Sequence, residues 1–132
     1  MLVVAGASAL APKNPIAAEN AQRGLVDWQP LEPNGAAHGI EGYSSQVSVS
    51  SGGLLQLHVS TRPAARYQVQ IYRLGWYGGS GGRLMTCLPD CPKSVAGRPQ
   101  ALASPEPETG LLSARWPVSI SFRIPRSWLS GY

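Results

Sequence analysis

The sequence predicts an all-β chain, folded as an antiparallel, immunoglobulin-like β-sandwich. Three observations lead there. Fifteen glycines and twelve prolines stand among 132 residues, and only 14% of the residues are charged, a balance that favours short strands joined by many turns. The apolar residues recur with period two in several short stretches, the pattern of strands with one buried face. No convincing helical period appears. At this length the chain supports one domain with a core of modest size, built from about six or seven short strands.

The elements follow in order. Met1 to Ala11 is apolar and small-sided, with Ala7-Ser8-Ala9 placed like a cleavage site. It reads as a residual signal segment or a frayed tail over residues 1–13, and export is the expectation. The run lacks a basic leader and is too short to span a bilayer. The domain is expected over residues 14–132. Asn14 to Asn20 should cross the surface extended, because a residue before proline avoids the helical region. Gly24 to Gly39, with Pro30, Pro33 and Asn34-Gly35, reads as a loop anchored by Trp28. Order begins at Ile40-Glu41-Gly42-Tyr43. Gln46 to Ser50 alternates as a strand would, and Ser51-Gly52-Gly53 turns the chain. Leu54 to Ser60 is the next strand, with Leu55, Leu57 and Val59 inward. After a turn at Arg62-Pro63 comes the central strand, Tyr67 to Leu74, with Tyr67, Val69 and Ile71 on one face. It runs into five glycines between Gly75 and Gly82, and Arg83 to Cys87 leaves that loop as a further strand.

The C-terminal third is less regular. Pro89 to Thr109 holds five prolines and no pattern, so a long mobile connection is expected. Leu111 to Trp116 reads as a short strand. Val118 to Ile124 reads as a clear one, with Val118, Ile120, Phe122 and Ile124 inward and Ser119, Ser121 and Arg123 outward. Ser130-Gly131 reads as a turn and Tyr132 as the first residue of another strand. The sandwich is therefore expected to be truncated before its last strand, leaving a sheet edge open.

The chemistry is sparse. The net charge of +4 rests on arginines scattered singly, so the reading includes no nucleic-acid partner. Cys87 and Cys91 bracket three residues, which is not the spacing of redox or zinc-ribbon motifs. If the protein is exported, a local disulfide between them is expected. His38 and His58 are distant from each other, so no metal site is assigned. The acidic residues are dispersed, with no pair spaced for acid–base work, and no catalytic residue is named. The glycine loop fails both the P-loop and the dinucleotide-binding spacings. Trp76, Tyr77 and Arg83 form the one candidate binding site, as a stacking platform for a sugar or another planar group. The reading preferred over that platform is structural: the aromatics cover the end of the sandwich and Arg83 is tied to a carbonyl or carboxylate.

A resemblance rests on several of these stretches. Asn14-Pro15-Ile16 with Glu19-Asn20, then Ile40-Glu41-Gly42-Tyr43, then Ile71-Tyr72-Arg73-Leu74-Gly75-Trp76-Tyr77-Gly78-Gly79 with Gly82-Arg83, and last Trp116-Pro117, Pro125 and Ser130-Gly131-Tyr132 occur in this order. Together they resemble the N-terminal β-sandwich region of proteins related to the large (beta) subunit of N,N-dimethylformamidase. The resemblance implies a metal-dependent amide hydrolase whose active site, an iron held by tyrosine and glutamate, lies in a later domain. None of those ligands transfers to a position here, so no cofactor is expected in this chain, and the implied partner is a downstream catalytic domain or a partner subunit. The chain then reads as a fragment of a longer protein. The preferred role is a non-catalytic accessory or assembly domain. A carbohydrate-binding or adhesive cell-surface module is the alternative, and an enzyme in its own right ranks last.

Overall fold

A computed structural model describes residues 14–29 and 39–129 of the chain. The apolar N-terminal stretch, the Asn34-Gly35 turn, His38 and the terminal Ser130-Gly131-Tyr132 lie outside the described residues. Strands dominate, and the sheets are antiparallel. Seven strands occur among the described residues: β1 (Ile40–Ser44), β2 (Leu54–Thr61), β3 (Arg66–Tyr67), β4 (Val69–Leu74), β5 (Gly82–Leu88), β6 (Val95–Ala96) and β7 (Ile120–Arg123). They pair as three small sheets, in the orders β1-β2-β7, β3-β6 and β4-β5.

By contact density the described residues form two units, 14–29 with 72–84 and 39–71 with 85–129. The chain crosses from the second to the first within β4 and returns within β5.

In the second unit β2 is the organising strand, hydrogen-bonded on both sides. Tyr43 faces His58 across the β1–β2 pair, and Leu55 faces Phe122 across the β2–β7 pair. The expected alternation holds in β7, where Ile120 and Phe122 are half-buried while Ser121 and Arg123 are exposed. It fails at the end of β2, where His58, Val59, Ser60 and Thr61 are all buried. The segment after β6 runs alongside and covers the second face there. Thr61 donates its N–H to Arg98 O at 3.1 Å, and Gln100 donates its N–H to Ser60 Oγ at 3.1 Å. The Pro89–Thr109 connection is thus not featureless: it contains β6 and takes part in the sheet environment.

Three further expectations are corrected. Gln46 to Ser50 forms no strand. Ser45 still donates its N–H to Gln56 O at 3.0 Å, but the Gln56 N–H goes to Gln46 Oε1 at 3.3 Å, a side chain standing where a backbone carbonyl would continue the ladder. Val47 is left fully exposed. Leu111 to Trp116 is likewise not a strand; Tyr43 Oη, which donates to Ala114 O at 2.7 Å and accepts the Trp116 N–H at 3.0 Å, holds it down instead. The expected Tyr67–Leu74 strand breaks at Gln68, whose side chain donates to Lys93 O at 2.9 Å while the backbone changes partner from β6 to β5. Tyr67 is buried, Val69 and Ile71 are half-buried, and Leu74 is exposed.

In the first unit, a helix stands where an extended segment was expected. Helix α1 spans Pro15–Asn20. Asn14 is extended, as a residue before proline should be. From that position its Oδ1 caps the helix by accepting the N–H of Ile16 at 3.0 Å and of Ala17 at 3.4 Å. Proline at the first helical position lacks only an N–H that would have no intrahelical partner there. The two residues thus start a helix that periodicity does not reveal.

Candidate functional site

The glycine hairpin between β4 and β5 belongs to the first unit. It is a closed, hydrogen-bonded loop rather than a loose one. Gly75 donates its N–H to Gly81 O at 3.1 Å, and Gly79 donates to Trp76 O at 2.8 Å. Gly78, Gly79 and Gly81 take positive φ of 64, 94 and 82°, which their missing Cβ permits. Tyr77 takes φ 42° without that freedom, in a region uncommon for bulky residues. Its surroundings hold it there: the ring is only 3% exposed and its hydroxyl is bonded.

Two other pieces of the unit lock the loop. Trp28 lies against Gly81 and Gly82, so closely that a Cβ on Gly82 would sit 2.6 Å from Trp28 Cγ. Its Nε1–H donates to Ser80 O at 2.9 Å, and Leu25 donates its N–H to Gly82 O at 2.8 Å. Trp28 is thus the anchor expected, and its seat is the glycine loop. The end of α1 supplies the second lock. Asn20 Oδ1 accepts the Trp76 N–H at 2.8 Å. Glu19 Oε1 accepts from Tyr77 Oη at 2.8 Å and from Arg83 Nε at 2.8 Å, with Arg83 Nη2 at 2.6 Å. Arg73 Nη1 stands 3.8 Å from Glu19 Oε2.

The charges in this cluster support one another. Burial by itself pushes the Glu19 carboxyl up. The hydrogen bonds from Tyr77 and Arg83, with the positive charges of Arg83 and Arg73, outweigh burial and hold it below its ordinary value. Burial raises the Tyr77 phenol, and its hydrogen bond to Glu19 raises it further. For Arg83 burial acts downward but Glu19 acts upward and prevails, so the guanidinium stays charged. At neutral pH the cluster is therefore a carboxylate gripped by a phenol and two arginines.

The three residues singled out from sequence share this hairpin with different fates. Tyr77 and Arg83 have their polar groups committed to Glu19. Trp76 stays 69% exposed, on a backbone bonded through both its N–H and its carbonyl. The partner missed was Glu19. The signal for it was present: an asparagine followed by proline, with an acidic residue one turn later, marks a capped helix start that presents Glu19 and Asn20 at its far end. In the second unit, Cys87 and Cys91 are joined as a disulfide with Cα atoms 5.2 Å apart. A cavity of about 200 Å³, lined by Val59, Tyr67, Arg98 and Gln100 among others, also lies in that unit. Among the described residues no group of three His, Cys, Asp or Glu converges as a metal site, and no helix is long and apolar enough to cross a membrane.

Comparison with known proteins adds one finding. Residues 68–132, about half of the chain, match the family model described as N,N-dimethylformamidase beta subunit-like, C-terminal. The family is the one the sequence resembles, but the matched model is described as C-terminal, where the resemblance pointed to the N-terminal region. The match covers the whole glycine hairpin, from the start of β4, and everything after it, including the disulfide. No curated protein and no solved structure matches the chain.

Proposed function

We propose that this chain, which carries a dimethylformamidase beta subunit-like domain over residues 68–132, is an accessory assembly domain of an amide-hydrolysing protein, and that it docks through Trp76. The observation that carries this reading is the contrast within one hairpin. Tyr77 is buried and Arg83 is ion-paired, whereas the indole beside them is 69% exposed on a fully hydrogen-bonded backbone. A large aromatic exposed to solvent on a backbone that is already fixed suits the centre of an interface. A subunit-type domain implies a partner subunit or a neighbouring catalytic domain to receive it.

In this reading the iron centre implied by the resemblance belongs to that other domain. The contact between Glu19 and Tyr77 does not fit an iron. Glu19 Oε1 is taken up by Tyr77 and the Arg83 guanidinium, with Arg73 near the other oxygen, and two cations beside the carboxylate repel a third. The antiparallel sheets support an immunoglobulin-like sandwich as the parent architecture. The Cys87–Cys91 disulfide supports export, since such bonds persist in oxidising compartments.

The test is binding of the partner subunit to wild-type protein and to Trp76→Ala. An anchor residue should cost at least about 2 kcal/mol, roughly a thirty-fold loss of affinity, while stability stays within about 1 kcal/mol because the indole is exposed. Equal affinity in the two proteins would overturn the docking role. An exposed indole also suits the apolar face of a sugar ring, which keeps the carbohydrate-binding alternative. Glycan-array binding that vanishes in Trp76→Ala, without any partner-subunit binding, would select it.

A further inference from the structure

Ser45 and His58 lie in the second unit, outside the hairpin and outside any role given to them above. The register of the β1–β2 pair places Tyr43 opposite His58. Ser45 is two residues beyond Tyr43, so it falls on the same face and becomes the diagonal neighbour of His58. Ser45 Oγ lies 2.6 Å from His58 Nε2. The other ring nitrogen, Nδ1, lies 2.7 Å from Trp116 O. A carbonyl can only accept, so Nδ1 carries the hydrogen. In the neutral ring Nε2 then presents its lone pair, and the Ser45 hydroxyl donates to it.

The base is held in place from every side the described contacts reach. The Tyr43 ring stacks on the imidazole, with centroids 4.5 Å apart and planes inclined by 10°. The same Tyr43 fixes the carbonyl that sets the tautomer, since its hydroxyl accepts the Trp116 N–H and donates to Ala114 O. Trp116 is further tied by its Nε1–H to Ala101 O at 2.7 Å. His58 is 8% exposed, while Ser45 is exposed. A shielded, oriented imidazole accepting a proton from an accessible hydroxyl is the arrangement of an activated nucleophile, with the base oriented by a third group. Here a backbone carbonyl stands where a carboxylate serves in the familiar triads.

We propose that Ser45 is an acyl-accepting nucleophile, with His58 as its general base and carboxylic esters as the substrate class. Ser45 Oγ attacks the ester carbon as its proton passes to His58 Nε2. The ester C–O bond then breaks, the alcohol leaves with the proton from Nε2, and the acyl group remains on Oγ. This site is independent of the docking role of Trp76, so either can fail without the other.

The experiment is labelling of the full chain with an alkyl fluorophosphonate, followed by peptide mapping. The Oγ–P bond forms, the P–F bond breaks, and fluoride leaves. Ser44, Ser50 and Ser51 are exposed serines in the same chain and serve as internal references. General-base assistance is worth about 10²-fold or more. Ser45 should therefore label at least about a hundred times faster than those three, and the excess should vanish in urea, where the histidine is no longer held. Ser45→Ala should remove the label. His58→Gln, checked for folding by circular dichroism, should bring Ser45 down to the rate of the references. Labelling of Ser45 no faster than Ser44, Ser50 or Ser51 in the folded chain, or equally fast in urea, would overturn the proposal without need of any His58 variant.

Discussion

Removing the Glu19 carboxylate should destabilise the first unit by an amount that depends on pH in a defined way. Glu19 accepts hydrogen bonds from Tyr77 and from two nitrogens of Arg83. The side chains of Arg83 and Glu19 keep 25% and 19% of their exposure, so solvent screening leaves the ion pair itself at about 1 kcal/mol or less. The Tyr77 hydroxyl is a different matter, because Tyr77 is only 3% exposed. Without an acceptor it would carry the full penalty of a buried unsatisfied donor, about 1–3 kcal/mol. Glu19→Ala should therefore cost about 2–3 kcal/mol. Glu19→Gln, which keeps an accepting oxygen but loses the charge, should cost about 1 kcal/mol.

The assay is urea unfolding followed by tryptophan fluorescence, since Trp28 and Trp76 both belong to the unit. The folded state holds the Glu19 carboxyl below its ordinary value. Its stabilisation is therefore present above the ordinary carboxylate value and is lost as pH falls through the lowered one. The gap between wild type and Glu19→Ala should be widest near neutrality and should narrow on acidification. Coincident curves at pH 7, or a gap that stays constant through the whole acid range, would refute the view that this carboxylate locks the hairpin.

Two further outcomes follow from the geometry. Gly82→Ala should destabilise by about 1–3 kcal/mol in thermal or urea unfolding, because the new methyl would meet Trp28 Cγ at 2.6 Å and force the indole or the strand to move. Reduction of the Cys87–Cys91 bond, which closes a loop with a sequence separation of only 4, should cost about 2 kcal/mol on the chain-entropy relation; peptide mapping of unreduced protein should find the two cysteines joined, and two free thiols in protein recovered from an oxidising compartment would count against the bond.

The local and periodic parts of the structure were legible in the amino-acid sequence. Leu54 to Ser60 and Val118 to Ile124 carry their strands in their own alternation, because a half-buried strand has a side-chain period of two whatever it pairs with. The Ser51-Gly52-Gly53 turn and the Cys87–Cys91 pairing are short-range, so neighbouring residues decide them. The resemblance to the dimethylformamidase beta subunit rests largely on the same contiguous stretch around Gly75 to Arg83 and was readable for that reason. Helix α1 was also encoded locally, in Asn14-Pro15, but by a capping signal rather than a period. It was missed because six residues are too few to show helical periodicity.

Pairing and competition for partners were decided only in three dimensions. Nothing in Tyr67 to Leu74 says that the strand changes partner at Gln68. That follows from where β5 and β6 lie and from the carbonyl of Lys93, 25 residues away, that meets the Gln68 side chain. Gln46 to Ser50 alternates as well as any strand in the chain, yet it leaves the sheet because the Gln46 side chain takes the Gln56 N–H. The fate of the candidate residues was decided in the same way. Trp76, Tyr77 and Arg83 are neighbours in sequence and equivalent by composition. Glu19, contributed from 58 and 64 positions away, binds Tyr77 and Arg83 and leaves Trp76 exposed. A hydrogen bond is satisfied by whichever group the fold brings within about 3 Å, and that distance is a property of the tertiary structure alone.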